Sequence, residues 1–404
     1  MYLTQKIRIK PDDELEKFFY NCIDGQRFFY NQMLQVWNTL YEKGENPSHM
    51  SVIKEVRHLL KENNLVDKDG NKYDDLTWLK ILPMNLLESA KEHIKVAFNN
   101  FFRKLKESKD PTKNRPKYKC KRTSKKSFSI YLKNSTTFKY NSQTGDFKFT
   151  KSPTFYIKEK LRYYTKDSEI KLITITKEPY GWYIAITYSV DDYSLYRERN
   201  GDKVGIDLGV KDFAILSELD DNGKPLKINF DDVINQKRFL NLNSKLKRMQ
   251  RALSKKRLKN SNWKESKRYE LLKTKIALTY ARISNMKKDF LHKLTTAIIK
   301  DFDSIAIETL KVSNLLKNKK LSRSIHESCF YMFKTILKAK ASMYGNLIVE
   351  ADSFFPSTQK CSCCGYVKTK TEKLTLKDRI YSCNNCGSKL DRDYNTALNL
   401  RNLI

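Results

Sequence analysis

Two pairs of cysteines constrain the fold of this chain more than any other sequence feature. Cys361 and Cys364 form one Cys-x-x-Cys pair, Cys383 and Cys386 form another, and 18 residues separate the pairs. This spacing is typical of a four-cysteine zinc site, in which two tight turns aim four thiolates at one tetrahedral ion. We therefore predict one structural Zn²⁺ held by Cys361, Cys364, Cys383 and Cys386.

The other cysteines do not fit the same site. Cys363 lies inside the first pair, and its use would leave only one residue between two ligands. Cys22, Cys120 and Cys329 have no cysteine close by in the sequence, so we interpret them as packing or surface thiols. Four unligated thiols are the alternative for the cluster, but their density in a chain without a recognisable export signal favours metal binding in a reducing cytosol.

The charge balance of the chain points to a polyanionic partner. Lys and Arg number 79 and Asp and Glu number 46, so the net charge is +33. Such an excess opposes compaction unless a polyanion neutralises it, and nucleic acid is the leading candidate. The sequence has no apolar run of about 18 residues that could span a membrane, and its first residues lack the apolar core of a signal peptide. We therefore expect a cytoplasmic protein rather than a secreted protein, a membrane protein or a small-anion enzyme with a near-neutral surface.

Length and residue pattern together predict a multidomain α+β fold. The 404 residues exceed the usual size of one domain. The predicted regions are a first strand at 1–10, a helical domain at 11–106, a β domain at 107–192 and a region at 203–404 with a basic helical insertion at 237–300. The first strand can pair with the β domain, which would make the helical domain an insertion between paired strands.

Two stretches of the chain are strongly basic. Residues 101–126 hold 12 basic side chains against two acids, and residues 237–268 hold 13 against one. A basic run on its own is usually a solvated linker. In a chain of this charge, with Tyr118 available to stack on a base, nucleic-acid binding is favoured. The candidate nucleic-acid-binding residues are Arg115, Lys117, Tyr118, Lys119, Lys121, Arg122, Lys247, Arg248, Arg251, Lys255, Lys256 and Arg257.

Three acidic residues stand at the ends of predicted elements. Asp207 and Glu308 each follow a short apolar strand, and Asp393 precedes a helix. Each alone has an ordinary explanation, as a turn residue, a solvated strand end or an acid facing a helix dipole. In an RNase H-like sheet, however, these three positions converge. Their carboxylates could then hold two Mg²⁺ about 4 Å apart, an arrangement that hydrolyses phosphodiester bonds.

A second interpretation of the first acid comes from another class of enzyme. Asp207-x-Gly209 at a strand end also resembles the first phosphate loop of actin-like sugar kinases and ATPases. Such enzymes need further glycine-rich turns that approach the nucleotide phosphates. The glycines after Gly209 form no Gly-x-Gly sequence. The pattern therefore favours a nuclease over an ATPase.

The quoted motifs resemble those of the TnpB (OrfB) family of transposon-encoded RNA-guided DNA endonucleases, which are related to type V CRISPR effectors. The matching stretches are Gly-Ile-Asp-Leu-Gly at 205–209, Ile-Ala-Ile-Glu-Thr-Leu at 305–310, Phe-Pro-Ser at 355–357, the two cysteine pairs and Asp-Arg-Asp-x-Asn at 391–395. The resemblance is strongest over 203–404. Thr396 departs from it, since the family often has Ala there, and the chain ends at Ile404, soon after the last helix starts.

The resemblance implies a RuvC-type nuclease domain of the RNase H-like fold with an inserted zinc ribbon. A β-barrel wedge domain and a helical recognition domain would precede it. Asp207, Glu308 and Asp393 would be the catalytic triad that holds two Mg²⁺, and Asp391 would be a helix cap or a supporting acid. A guide RNA and target double-stranded DNA would be the partners, with cleavage beside a short flanking motif, in a prokaryotic cytoplasm close to the nucleoid.

Alternatives stay open at this point. A guided DNA-binding repressor on the same scaffold would lack one of the three acids, and this chain has all three. A small type V CRISPR effector would use the same chemistry, and only neighbouring genes would separate the two. A guide-free RuvC-like nuclease would recognise DNA shape alone. The sequence leaves the choice between monomer and dimer open.

Overall fold

A computed structural model describes residues 2–67, 69–108, 114–132, 138–190, 199–209, 212–229, 236–259, 266–309, 329–352, 354–369, 371–375 and 378–404. The chain forms two compact units, Met1–Ser194 and Leu195–Ile404. Each unit has its own hydrophobic core and combines helices with β-sheet. The protein therefore has a mixed α/β multidomain fold.

An antiparallel sheet of the first unit joins strands that are far apart in sequence. Its order is β1 (Tyr2–Ile9), β7 (Gly181–Ser189), β6 (Ile170–Glu178) and β2 (Ser127–Tyr131). Strand β1 pairs with β7 along its full length, which confirms the predicted pairing of the first strand with the β region. A smaller sheet comprises β3 (Phe138–Tyr140), β4 (Asp146–Phe149) and β5 (Phe155–Tyr156).

The helices of the first unit are α1 (Asp13–Glu42), α2 (His49–Lys61) and α3 (Asn85–Ser108). Helix α1 starts after Asp12, whose carboxylate accepts a hydrogen bond from the Leu15 amide at 2.8 Å. The rings of Phe19 and Trp182 lie 5.2 Å apart, so α1 packs directly on the sheet. The helical and β regions that the sequence separates therefore share one core.

The second unit is built on a five-stranded sheet. Its order is β10 (Pro225–Ile228), β9 (Ala214–Leu219), β8 (Lys203–Asp207), β11 (Ser304–Ile307) and β12 (Leu347–Glu350). Strands β8, β11 and β12 are parallel, whereas β9 is antiparallel to both β8 and β10. Side chains alternate along each strand, and those of Val204 and Ile206 enter the main core of this unit.

Helices cover both faces of this sheet. On one face, α5 (Lys267–Asp301) and α6 (Phe330–Tyr344) supply core residues such as Phe290 and Leu337. On the other face, α7 (Arg392–Arg401) packs Leu400 against Ala306 of β11. The sequence pattern predicts a final helix from about Tyr394, and helix α7 starts two residues earlier because Asp391 caps it. The sequence pattern predicts that this α6 helix starts near residue 322, a position outside the described residues.

The predicted basic insertion is a helical hairpin. Helix α4 (Gln236–Lys259) packs on α5 through apolar side chains that recur every three or four residues along α4. These side chains are Phe239, Leu242, Leu246, Met249 and Leu253. The rest of the α4 surface is therefore free to carry its basic residues.

No helix among the described residues is long and apolar enough to span a membrane.

Candidate active site and metal centre

Strand register brings two of the three predicted acids side by side. Ile206 of β8 pairs with Ile307 of the parallel strand β11. Asp207 and Glu308 directly follow this pair, so they occupy equivalent positions on strands about 4.8 Å apart. Because side chains alternate, both acids point to the face that carries α7 rather than to the Val204 core.

A close approach of helix α7 to β8 places the third acid. A Cβ atom on Gly205 would lie 1.9 Å from the Ala397 carbonyl oxygen, so only glycine permits this contact. Asp393 lies one helical turn, about 6 Å, before Ala397. Asp207 lies about 7 Å along the strand from Gly205. The close contact therefore holds the start of α7 near Asp207.

The other two acids lie close enough to Asp207 for their charges to act on its carboxyl group. Burial raises the pKa of the Asp207 carboxyl well above its usual range, and the charges of Glu308 and then Asp393 raise it further. The nearby Arg392 guanidinium opposes this shift only in part. A buried carboxylate beside two others is stabilised by a cation, and carboxylate oxygens are the ligands that Mg²⁺ prefers. The donor set therefore fits a divalent metal site.

Glu308 and Asp393 each have a hydrogen-bond donor that sequence analysis missed. The Ser357 hydroxyl donates to Oε1 of Glu308. Arg392 donates from Nε and Nη2 to Oδ1 of Asp393, at 3.0 and 2.8 Å. Unlike the cysteine sulfurs described below, the three carboxylates are not all within 4.8 Å of one another in the described part of the chain. The Phe-Pro-Ser motif was the sequence signal that could have identified Ser357.

The predicted cap at Asp391 is observed. Its Oδ1 accepts hydrogen bonds from the backbone amides of Asp393 and Tyr394 at 3.0 and 3.2 Å. Its Oδ2 accepts from the Lys227 ammonium at 2.9 Å. The cap fixes the first turn of α7, and with it the position of Asp393.

Two buried asparagines on α7 hold the segment that leads into the first cysteine pair. Asn399 donates to the carbonyl oxygens of Ser357 and Lys360, at 2.9 and 2.7 Å. Asn395 donates to the same Lys360 oxygen at 2.8 Å and accepts from the Ser362 amide at 2.9 Å. One helix therefore carries Asp393, fixes the backbone of the serine that binds Glu308, and anchors the cysteine-bearing segment.

The four cysteines predicted as zinc ligands come together. Their sulfur atoms all lie within 4.8 Å of one another. The Sγ atoms of Cys361 and Cys386 are 3.7 Å apart, and those of Cys364 and Cys383 are 3.5 Å apart. Zn–S bonds of about 2.3 Å in a tetrahedron require sulfur separations of about 3.8 Å. The cluster therefore has the dimensions of a four-cysteine zinc site, and Cys363 lies exposed outside it.

Matching turns shape the two halves of this cluster. The Gly365 amide donates to the Cys361 carbonyl and the Gly387 amide to the Cys383 carbonyl, each at 3.0 Å. The φ angles of these glycines are +77° and +73°, a left-handed conformation that side chains disfavour. Strands β13 (Ile380–Ser382) and β14 (Lys389–Asp391) pair next to the second turn. Strand β14 ends at the cap of α7, so the cluster connects directly to the helix that carries Asp393.

The four thiols differ in acidity: the pKa of Cys361 is lowered, whereas that of Cys383 is raised to about 11. Burial would raise the pKa of Cys361, but hydrogen bonds from the Ser388 hydroxyl and from backbone amides outweigh it and lower the pKa to about 6. A thiol that ionises near neutral pH is a ready metal ligand. Tyr381 is fully buried beside the four sulfurs, and this burial, followed by their charge, raises its pKa.

We expect the purified protein to contain about one tightly bound Zn²⁺ per chain, lost in Cys361→Ser because three ligands remain. Elemental analysis of the metal content measures this. Cys363→Ser is the matched control and should retain the ion, since this thiol lies outside the cluster. A well-folded chain without zinc would contradict the assignment of the metal.

The predicted nucleic-acid-binding residues fall into two groups. On α4, all six side chains are exposed to solvent. In the first unit, Lys117 and Arg122 are exposed, whereas Lys121 pairs with Asp24 at 2.9 Å. The remaining contacts are Arg115 to Asn38 at 3.3 Å, the Tyr118 hydroxyl to Gln35, and the Lys119 ammonium 3.8 Å from the centre of the Tyr30 ring. The exposed cations remain candidates, whereas Lys119 is partly buried and lines a cavity.

Family models match three segments of the chain. Residues 185–319 match the OrfB_IS605 family, described as "Probable transposase". Residues 330–400 match the Cas12f1-like TNB domain, which contains the cysteine cluster. Residues 1–46 match the helix-turn-helix domain of OrfB_IS605, although the structure forms β1 and the single long helix α1 there.

Whole-length relatives carry consistent names. A Streptomyces pristinaespiralis protein named "Putative RNA-guided DNA endonuclease" is 27% identical over 98% of this chain and 87% of its own length. The Escherichia coli K12 protein "Putative RNA-guided DNA endonuclease InsQ" is 26% identical over 98% of this chain and 90% of its own length. A cryo-EM structure of a Cas12f1–sgRNA–target DNA complex aligns over 100% of this chain and 99% of that chain, at 17% identity and a TM-score of 0.32. With so low a TM-score, this last likeness carries no argument.

Proposed function

We propose that this chain, which belongs to the TnpB (OrfB) family, is an RNA-guided DNA endonuclease that hydrolyses phosphodiester bonds at Asp207, Glu308 and Asp393. The observation that carries the proposal is the convergence of these acids at the ends of β8 and β11 and at the start of α7. The pKa of Asp207 is raised first by burial and then by the charges of Glu308 and Asp393, which supports the proposal. Perturbed carboxyl groups of this kind cluster at catalytic sites.

The sheet supports assignment of the second unit to the RNase H-like fold of RuvC nucleases. The first three strands along the chain are β8, β9 and β10, and each is antiparallel to the one before it. Strands β11 and β12 then extend the sheet on the other side of β8, both parallel to it. In this fold, acids at the ends of the central strands form the active site. The segment at 358–390 would be the inserted zinc ribbon, and the sheets and helices of the first unit would form the wedge and recognition domains.

Each residue of the site has a proposed task. Asp207, Glu308 and Asp393 would hold two Mg²⁺, which when bound supply the charge that activates water and stabilises the leaving oxygen. Ser357 orients the carboxylate of Glu308 through its hydroxyl hydrogen bond. Asp391 fixes the first turn of α7 and so holds Asp393 in place. Arg392 donates hydrogen bonds to the Asp393 carboxylate and so orients it.

The basic surfaces would hold the guide RNA and the target double-stranded DNA. Names of the whole-length relatives carry the proposal of guided cleavage, and the net charge of +33 supplies a general affinity for nucleic acid. In guided systems base pairing reads the target sequence, whereas the protein reads duplex shape and a short flanking motif. The exposed cations of α4 suit backbone contacts of this kind. The protein would act on DNA in a prokaryotic cytosol.

We expect guide RNA to determine where the protein cuts. In a plasmid cleavage assay with Mg²⁺, RNA copurified from the native locus should direct cutting to a site complementary to its guide segment. A scrambled guide or no RNA should leave only salt-sensitive binding that is largely independent of sequence. Equal cutting at one site in all three reactions would contradict guided cleavage. It would indicate a guide-free RuvC-like nuclease instead.

A further inference from the structure

A cavity of about 250 Å³ lies in the first unit, between helices α1 and α3 and the segment that leads into β2. Tyr20, Ile23 and His93 line this cavity. Lys119 lines it as well, and the exposed Lys125 and Lys126 form its rim together with other polar residues. Sites for drug-sized molecules usually begin at about 300 Å³, so this cavity suits a smaller group. One nucleobase is a group of that size.

The cavity carries more positive charge than its acid can neutralise. Asp24 is the acid that lines it, and this carboxylate already pairs with Arg27 at 2.8 Å and with Lys121 at 2.9 Å. Lys119 and Lys125 have no carboxylate partner among the described residues. Burial lowers the pKa of Lys119 to about 8, so an anion beside this ammonium would stabilise its charged form. The rim therefore complements a phosphate group.

His93 lines the same cavity as Tyr20 and Ile23 and adds a polar ring. Its Nδ1 atom is buried and has no hydrogen-bond partner in the described part of the chain. Burial, and then the charge of Lys119, lower its pKa to about 4, so the ring is neutral at pH 7. A neutral imidazole offers one donor and one acceptor, which suits the edge of a base. A buried polar atom without a partner is costly unless a ligand satisfies it.

We propose that this cavity binds one unstacked nucleotide of a nucleic-acid strand, with its base against Tyr20, Ile23 and His93 and its phosphate at Lys119, Lys125 and Lys126. Proteins commonly take unstacked bases onto aromatic side chains and bind their edges by hydrogen bonds. The strand could be the guide RNA or one strand of the DNA, since both present the same base and phosphate chemistry. The proposal deepens the proposed function, on which its choice of nucleic acid rests.

Binding to the full-length, RNA-free chain in buffer without Mg²⁺ tests this site. The probes are fluorescent RNA and DNA hexamers, each with one photoreactive thio-base. We expect His93→Phe, which keeps an aromatic ring but removes the polar atoms, and Lys125→Ala/Lys126→Ala to weaken binding of at least one probe by roughly fivefold or more. The matched control Lys54→Ala/Lys61→Ala removes two exposed charges from α2 and should weaken it less than about twofold.

Crosslink mapping separates specific from general binding. A crosslink from the thio-base to Tyr20 or His93 supports the cavity, and the probe that forms it, RNA or DNA, identifies the strand. Crosslinks confined to other segments, or an equal loss of affinity in the α2 control, would overturn the proposal. The lysine pair lies on the exposed rim, so its variant tests the site even if His93→Phe fails to fold. The binding assay does not depend on cleavage. A chain that binds through the cavity but never cuts DNA would therefore contradict the proposed endonuclease function and leave the cavity proposal intact.

Discussion

Asp207→Asn should lower the rate of guide-directed cleavage by at least about 10³-fold, while target binding changes by less than about twofold. The substitution keeps the shape of the side chain but removes one of the three proposed metal ligands, and such ligands supply several kcal/mol of transition-state stabilisation. Binding depends on the dispersed basic surface and should persist. Single-turnover cleavage and equilibrium DNA binding, both with guide RNA and Mg²⁺, measure the two effects separately.

The same variant should be more stable than the native chain without divalent metal. Burial and two neighbouring acids raise the pKa of Asp207. Between the ordinary pKa and this raised value, the folded chain keeps a proton that the unfolded chain has released. The unfolding free energy of the native chain therefore falls as pH rises through that window. Asn does not titrate, so the Asp207→Asn variant does not lose this stability. Thermal unfolding in EDTA at pH 7 should show a higher Tm for the variant.

Glu218→Gln is the matched control for both measurements. Glu218 lies on the neighbouring strand β9 and pairs with Arg401 at 3.4 Å on the protein surface. The Glu218→Gln substitution should leave the cleavage rate and the stability without metal almost unchanged, because exposed ion pairs contribute little to the free energy of unfolding. Robust cleavage by Asp207→Asn would exclude this residue as a metal ligand. Equal stability of the two variants in EDTA would show that Asp207 is not held as an unfavourable buried charge.

Gly205→Ala should destabilise the second unit by about 3 kcal/mol or more and abolish cleavage, although all three acids remain. The added Cβ would lie 1.9 Å from the Ala397 carbonyl oxygen and 2.5 Å from the Arg401 amide nitrogen. Both atoms belong to the α7 backbone, so no side chain can rotate away. Either α7 moves off the sheet and takes Asp393 with it, or the unit unfolds. Denaturant unfolding, together with cleavage and zinc content, distinguishes these outcomes.

Gly25→Ala in the first unit is the control for this substitution. Its added Cβ would meet the tip of the Leu82 side chain, which can adopt another rotamer. The expected loss of stability is therefore smaller, below about 1.5 kcal/mol. If Gly205→Ala matched the native chain in stability and cleavage, α7 would not lie against β8 as described.

Local sequence patterns were enough to predict the cysteine cluster and the placement of Asp207 and Glu308. Two Cys-x-x-Cys pairs form turns from adjacent residues, so their spacing alone indicates that each pair converges. The two acids each end a short apolar strand, and parallel pairing then places them together. The pairing of β1 with the later strands was likewise predictable from its period. The pattern that identifies each cysteine pair or each strand lies within about ten consecutive residues.

The local patterns were less informative where separate segments meet. The sequence predicted a helical domain and a β domain, yet Phe19 and Trp182 meet in one core. Helix α4 was predicted as basic, but its packing on α5 decides which of its residues face solvent. The start of α7 shifted by two residues because Asp391 hydrogen-bonds to the helix amides.

The sequence by itself determined which residues can turn, alternate or bind a metal, because these properties depend on near neighbours in the chain. Only the tertiary structure showed that helix α7 packs directly against Gly205. The same holds for the hydrogen bond from Ser357 to Glu308 and for the cavity that His93 and Lys119 both line. Each of these contacts joins residues far apart in sequence, and it forms only when complementary surfaces pack at high density. Residue type and local periodicity do not specify such partners, so the supporting residues of the site became visible only in the fold.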